Sequence, residues 1–202
     1  ADTVFAHILL IRTGLFHFFV VRVHAGPRRI IQLNLKRWIR DVPDYPKPGI
    51  LFRDLTPLLE HPRAFRFAID CLTQPFRNER IGALCAIEAR GFLVGAPMAI
   101  SLGIPLVLLR KANKLPRITV GENFNLEYGS DRIEVHQDAL RPSQRVVIVD
   151  DLLATGGTAR AAASVVTSIG AEVAAYAFLI EIQNLLGRSA LGASKIHTAV
   201  QY

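Results

Sequence analysis

Cysteine is scarce in this chain of 202 residues, which has two, Cys71 and Cys85, together with one methionine and one tryptophan. Both cysteines lie in apolar segments, which argues against a disulfide framework or a thiolate metal site. We expect two buried, reduced thiols and a cytoplasmic protein. Half of the residues are hydrophobic, which excludes a chain that is disordered throughout. The length is sufficient for one domain with its own core.

Acidic residues are almost absent from the first 40 positions, where Asp2 alone faces seven basic residues. The remaining 162 residues carry 17 basic and 16 acidic side chains. The formal net charge of +7 therefore belongs almost entirely to the N-terminal region. A nearly neutral body does not have the basic face that nucleic-acid binding requires. We expect no nucleic-acid partner.

The first residues contain an apolar stretch, VFAHILLIRTGLFHFFVVRV, that fits neither a membrane helix nor a secretory signal well. Arg12, near its middle, would cost about 2.5–3.5 kcal/mol on insertion scales. A secretory signal has its basic residues before the apolar run. Three interpretations stay open: an ordered extension that packs on the body or a partner, a targeting or membrane-associated segment, and an extension without function. We predict an extension of unknown role over residues 1–28, a domain over residues 29–202, and no membrane partner.

The stretch Val146–Thr158, VVIVDDLLATGGT, combines a strand, a small-residue loop and the start of a helix. Its β-branched run fits a strand that is buried on both faces of a parallel sheet. A loop of small residues before a helix offers free N–H groups and hydroxyls to a phosphate. It lacks the lysine of a nucleotide-hydrolase loop and the GxGxxG pattern of dinucleotide-binding folds. The two preceding acids, Asp150 and Asp151, can accept hydrogen bonds from the vicinal hydroxyls of a ribose. The predicted phosphate loop consists of Ala154, Thr155, Gly156, Gly157 and Thr158.

Two further strand ends carry charge. The predicted strand Ala83–Ile87 runs into EARGF, where Arg90 is placed to bind an anion, and a small-residue helix follows. The predicted strand Pro105–Leu109 ends in a cluster of cations, Arg110, Lys111 and Lys114. Such a cluster is either a solvated edge or a receptor for a highly charged leaving group.

Two other segments complete the pattern. Residues 30–41 place apolar side chains at helical spacing, and three prolines stop that helix before ILFRD. Residues 117–136 alternate as two strand-like arms around polar turns, which is typical of a lid over a site. Glu127 lies in this hairpin and, taken alone, would be an exposed carboxylate.

Taken together, DDLLATGGT, DYPKPGILFRDLTPLL, EARGF, RKANKLP and LEYG resemble the type I phosphoribosyltransferases, and specifically the adenine phosphoribosyltransferase branch. The resemblance covers residues 31–202. It implies an α/β fold with an open, mainly parallel twisted sheet flanked by helices, a flexible hood hairpin and an N-terminal extension. It implies the purine-salvage reaction of adenine with phosphoribosyl pyrophosphate (PRPP) to give AMP and pyrophosphate. A homodimer and Mg²⁺, bound mainly through PRPP with no firm protein ligand, are implied as well.

The resemblance also implies roles for individual residues. Glu127 would be the catalytic acid/base, and the 154–158 loop would bind the 5′-phosphate of a ribose held by Asp150 and Asp151. One position departs from the family pattern, because Phe124 stands where many relatives have tyrosine. The pyrophosphate would meet Arg90, Arg110, Lys111 and Lys114. The adenine would meet Leu51, Phe52, Arg53 and Leu152.

Two alternatives remain. A regulator that senses PRPP and binds nucleic acid could keep this fold, but it would need neither the lid glutamate nor the pyrophosphate cations. A phosphoribosyltransferase for hypoxanthine or guanine would place a lysine and an aromatic residue differently in its base pocket, and DYPKPGILFRD favours adenine.

Overall fold

A computed structural model describes residues 6–13, 16–23, 33–126 and 129–202. The chain forms two compact units, Ala1–Leu33 and Asn34–Tyr202. In the first unit, strands β1 (Ala6–Thr13) and β2 (Phe16–Val23) pair in antiparallel fashion. None of the helices in the described ranges has the length and apolar character needed to cross a membrane. The domain division predicted at residue 28 stays a prediction.

The second unit alternates strands and helices along the chain. Its strands are β3 (Arg40–Val42), β4 (Phe52–Asp54), β5 (Ala83–Ile87), β6 (Leu106–Lys111), β7 (Thr119–Leu126), β8 (Gly129–His136), β9 (Arg145–Leu153), β10 (Glu172–Glu181) and β11 (Ile196–Gln201). Its α-helices are α1 (Thr56–Leu59), α2 (Pro62–Thr73), α3 (Gly91–Leu102), α4 (Gly157–Ser168) and α5 (Gly187–Ala190). Short 3₁₀ helices cover Leu35–Trp38, Gln74–Phe76 and Gln183–Leu185.

Seven strands form one sheet in the order β11-β10-β9-β5-β6-β8-β7. The five strands from β11 to β6 are parallel, and β8 pairs antiparallel with both β6 and β7. This confirms the predicted open, mainly parallel sheet. After β5 the chain continues to β6 on one side, whereas β9, β10 and β11 extend the sheet on the other. The carboxyl ends of β5 and β9 therefore lie at the switch point, where open α/β sheets bind ligands.

Strands β5 and β9 are buried on both faces, as the β-branched run of β9 predicts. Leu84, Val147 and Val149 belong to a core cluster that includes residues of α2 and α3. Cys85 and Ile148 belong to a second cluster with residues of α4. Because side chains of a strand alternate between faces, these two strands join both layers of helices to the sheet.

Two sequence-based expectations were wrong. The helix predicted over residues 30–41 is, within the described range, only the 3₁₀ helix Leu35–Trp38, because the chain turns extended at Arg40 to pair with β4. Cys71 is exposed, since it flanks the buried stripe of α2 rather than lying in it. Cys85 is buried as expected, and burial raises the pKa of its thiol to about 12.

Candidate active site

The site begins with two carboxylates near the end of β9. Asp151 is buried, with 6% of its surface exposed, and Asp150 is partly buried beside it. The Asp151 backbone N–H donates to Asp150 Oδ1 over 2.8 Å. Arg90, directly before α3, lies with its Nε 2.9 Å from Asp151 Oδ2. The two strand ends at the switch point are thus joined by an ion pair.

Both carboxyl groups of the acidic pair have raised pKa values. Burial and the neighbouring charge of Asp151 raise the pKa of Asp150 well above its ordinary value. Burial also raises the pKa of Asp151, although the Arg90 guanidinium opposes that shift. Gly91 brings backbone close to the pair, because a Cβ at this position would lie 2.9 Å from Asp150 Oδ1.

The predicted phosphate loop connects β9 to α4. Gly156 has a φ of +83° in the left-handed region, which glycine adopts without steric cost, and it caps the N-terminus of α4. No side chain in the described ranges caps this helix. The first N–H groups of a helix have no partner within it, so they can donate to an anion. The structure therefore gives the 154–158 loop the geometry that the sequence predicts.

A second short helix supports this loop from behind, and sequence reasoning missed this contact although it predicts a short helical tail within residues 183–202. A Cβ at Gly187, the first residue of α5, would overlap the carbonyl oxygen of Ala154. A Cβ at Gly156 would lie 2.7 Å from the Gly187 carbonyl oxygen. Because both contacts join backbone to backbone, neither leaves room for a side chain. The paired small residues in GGT and LLGRSA were the available signal in the sequence.

An ion pair between exposed Arg188 and buried Glu181 holds α5 in place. Glu181, at the end of β10, is buried and accepts hydrogen bonds from Arg188 Nε over 2.6 Å and Arg188 Nη2 over 2.8 Å. Gln201 and Thr198 donate to the same carboxylate, and the pKa of Glu181 is lowered chiefly by the Arg188 hydrogen bonds. The carboxylate is therefore fully occupied within the protein and serves the architecture of the loop.

The cations at the end of β6 are held by carboxylates. Arg110 donates to Glu88 from Nε over 3.2 Å and from Nη2 over 3.0 Å, and these bonds chiefly lower the pKa of Glu88. Arg110 Nη1 also donates to the Lys114 carbonyl oxygen over 3.0 Å. Lys111 Nζ lies 3.0 Å from Asp131 Oδ2 in β8. Because β5 and β6 are parallel neighbours, this cluster lies at the same sheet edge as Arg90.

A cavity of about 1180 Å³ opens next to the phosphate loop. Three of the predicted base-binding residues, from Leu51 to Arg53, form one wall, and Leu152 with the loop forms another. The Arg90 guanidinium lies 5.4 Å from the centroid of the Phe52 ring, so the base segment and the acidic pair adjoin each other. The full lining is Gly49, Ile50, Leu51, Phe52, Arg53, Leu152, Ala154, Thr155, Gly157, Thr158, Ile182, Gln183, Asn184, Leu185 and Tyr202.

Sequence reasoning missed the wall formed by residues 182–185 and Tyr202. Residues 182–185 follow β10, so their place in the chain order after a parallel strand was the only signal available. Tyr202 had no such signal, because it reaches the cavity through the pairing of β11 with β10.

The predicted acid/base Glu127 lies outside the described residues. The arms of its hairpin are present as β7 and β8, and Phe124 in β7 is buried.

Comparison with known proteins agrees with this geometry. Residues 55–196 match the model of the phosphoribosyl transferase domain. An adenine phosphoribosyltransferase from Methylococcus capsulatus is 55% identical over 169 residues, covering 84% of this chain and 99% of the relative. One from Synechococcus is 49% identical over 170 residues, covering 84% and 99%.

A crystal structure of the adenine phosphoribosyltransferase from Thermoanaerobacter pseudethanolicus superposes with a TM-score of 0.81 at 45% identity, covering 83% of this chain and 98% of that one. The chain belongs to the adenine phosphoribosyltransferase family. This confirms the family and the type I phosphoribosyltransferase fold expected from the sequence.

The raised pKa of Asp150 predicts a stability gain from its neutral isostere. The folded state binds the Asp150 proton more tightly than the unfolded state does. The free energy of unfolding therefore falls as the pH rises through the raised pKa and the carboxyl group becomes charged. We expect Asp150→Asn to unfold several degrees above wild type at pH 8, with a difference that shrinks as the pH falls towards 4 and protonation removes the charge of Asp150. Thermal melts across this range measure it. Asp138→Asn, at an exposed ion pair with Arg117, should shift the Tm little. A variant that is less stable than wild type at every pH would refute the prediction.

Proposed function

We propose that this chain transfers the 5-phosphoribosyl group from PRPP to adenine, giving AMP and pyrophosphate in purine salvage. The observation that carries the proposal is the position of Arg90, whose guanidinium adjoins both the Phe52 ring and Asp151. A base cavity, an acidic pair and a phosphate loop thereby form one continuous site. A relative from Saccharomyces cerevisiae was solved with adenine, and one from Trypanosoma brucei with AMP, pyrophosphate and ribose-5-phosphate.

The proposed site binds PRPP in three parts. The 5′-phosphate accepts hydrogen bonds from the N–H groups and hydroxyls of the 154–158 loop. The ribose hydroxyls donate to Asp150 and Asp151, which accept hydrogen bonds most strongly when they are ionised. The pyrophosphate meets the cations Arg90, Arg110, Lys111 and Lys114. The hydroxyls of PRPP would thus supply hydrogen-bond donors to the acidic pair.

Bond breaking at the anomeric carbon develops positive charge on the ribose, as in glycoside chemistry. The departing pyrophosphate gains negative charge at the same time. Cations that are already held by Glu88 and Asp131 stabilise that charge without reorganisation. This stabilisation is stronger in the transition state than in the ground state, which is what lowers the barrier.

Mg²⁺ fits the proposed site only together with PRPP. No group of three or more histidine, cysteine, aspartate or glutamate side chains suited to a metal ion occurs in the described ranges. Mg²⁺ typically binds phosphate oxygens, water and one or two carboxylates. Asp150 and Asp151 are the carboxylates nearest to where PRPP would bind. When bound, the ion would offset negative charge on the pyrophosphate.

The adenine is proposed to stack on Phe52, to contact Arg53 and Leu152, and to meet the backbone of Leu51. Glu127 is proposed to manage the proton of the purine's five-membered ring as its nitrogen attacks. The hood over residues 117–136 would close to exclude water, which would otherwise hydrolyse the reactive ribosyl centre. The relatives named above are all enzymes, so the alternative of a PRPP-sensing regulator has no support from them.

We also propose a cytoplasmic homodimer. Helix α3, GFLVGAPMAISL, is apolar on every side, and its outer residues Leu93 and Ile100 are 47% and 84% exposed. A groove beside them is lined by apolar residues of α3 and the start of β6, with no charged side chain. A two-fold interface uses the same surface on both subunits, so an uncharged patch on one subunit can pack against the same patch on the other. A second copy of this chain is therefore the partner proposed for this face.

The activity is tested by measuring AMP, IMP and GMP formation from PRPP and Mg²⁺ with adenine, hypoxanthine and guanine respectively. We expect turnover with adenine alone. Glu127→Gln should lower kcat by about 10²–10⁴-fold, the typical contribution of a positioned acid or base. Glu122→Gln removes another carboxylate of the same hairpin and should leave kcat within twofold of wild type. Intact PRPP binding without turnover on any base would overturn the proposal.

The packing of α5 against the phosphate loop predicts the effect of one methyl group. Gly187→Ala would push the Ala154 carbonyl and displace the loop, so we expect the KM for PRPP to rise about tenfold or more while the KM for adenine changes less. Ser189→Ala adds no atoms at an exposed position of the same helix and serves as the control. Unchanged PRPP kinetics in Gly187→Ala would show that α5 does not position the loop.

The proposed dimer predicts that a charge on α3 separates the subunits. Ile100→Glu would place a carboxylate in the apolar contact, where burying an unpaired charge is costly. Light scattering coupled to size exclusion should report a dimer for the wild type and a monomer for Ile100→Glu. Ile118→Glu, at another exposed isoleucine outside α3, should stay dimeric. A dimeric Ile100→Glu would exclude this face as the interface.

A further inference from the structure

Arg53 is held from two sides at the wall of the cavity. It lies in β4 opposite Asp41 of β3, and the two side chains form an ion pair across the strands. The ring of Tyr202 lies against its other side, with its centroid 3.7 Å from the Arg53 guanidinium carbon. Lys36 Nζ lies 4.6 Å from the centroid of the same ring. Arg53 itself is largely buried, with 15% of its side chain exposed.

Stacking of this kind fixes a side chain that is otherwise flexible. A guanidinium within about 6 Å of a ring centroid is attracted by the negative face of the ring, and the attraction grows when water is excluded. Arginine also has many rotamers to lose when it is ordered. A ring and a carboxylate that already hold the guanidinium remove this cost from ligand binding.

We propose that Tyr202 is a positioning residue for the base: its ring fixes Arg53 so that the cavity wall beside Phe52 is already formed before adenine binds. This inference rests on the proposed function. Arg53 and Tyr202 both line the cavity, so a loosened Arg53 would affect the base directly. The phosphate loop lies on a different wall and is supported by α5 instead.

The backbone of Tyr202 is anchored independently of its ring. Its N–H donates to the Glu181 carbonyl oxygen over 2.9 Å, and its carbonyl oxygen accepts from the Gln183 N–H over 2.9 Å. Replacing the ring therefore leaves these hydrogen bonds available. A substitution at Tyr202 can then change the cavity wall without removing the chain from the sheet edge.

The test compares Tyr202→Leu and Tyr202→Phe with wild type in steady-state assays that vary adenine and PRPP separately. Tyr202→Leu should raise the KM for adenine about three- to tenfold, because Arg53 must then be ordered on binding. Its kcat and its KM for PRPP should stay within twofold. Tyr202→Phe keeps the ring face and should restore the KM for adenine. The control is His197→Leu, at a β11 residue whose ring contacts Phe76. This variant should leave the KM for adenine unchanged.

A second measurement asks whether Tyr202 acts through Arg53. In an Arg53→Met background, Tyr202→Leu should add no further rise in the KM for adenine. An unchanged KM for adenine in Tyr202→Leu, an equal rise in His197→Leu, or full additivity with Arg53→Met would each overturn the inference. A wild-type chain that forms no AMP would overturn the proposed function and this inference with it. An active wild type with an unresponsive Tyr202→Leu would overturn the inference alone.

Discussion

Two carboxylates near the end of a buried central strand are the constraint around which this site is built. Asp150 and Asp151 lie near the switch point of the sheet, where the strand order reverses. Burial raises the pKa of both carboxyl groups. One cation, Arg90, contacts Asp151 and adjoins the Phe52 ring. The protein thus holds an incompletely compensated acidic pair. A ligand with hydroxyls at the pair would donate hydrogen bonds to these carboxylates.

The remaining elements keep this arrangement in place by close backbone packing and ion pairs. Glycines allow α3 to approach the acidic pair and α5 to approach the phosphate loop, so the geometry depends on contacts that a single methyl group would disturb. The Arg188–Glu181 pair anchors α5, and Glu88 and Asp131 hold Arg110 and Lys111. Because these groups are positioned before any ligand binds, the proposed chemistry needs little reorganisation.

Most of the sheet could be predicted from the sequence, because buried parallel strands have long β-branched runs and small-residue loops follow them. The strand–loop–helix unit around the acidic pair could be located for the same reason. The cavity wall at 182–185 and Tyr202 was not, since it arises from the pairing of β10 and β11, which brings distant segments together. The burial of Cys71 was predicted wrongly. On a helix, a residue beside the buried stripe is separated from one within it by less than half a turn, and an apolar sequence does not distinguish the two positions.

A crystal structure of the chain with AMP would test the account most directly. It should show the 5′-phosphate on the 154–158 loop, the ribose hydroxyls within hydrogen-bond distance of Asp150 and Asp151, and the adenine against Phe52. A nucleotide bound elsewhere, or one in this cavity whose ribose does not reach the acidic pair, would contradict the account.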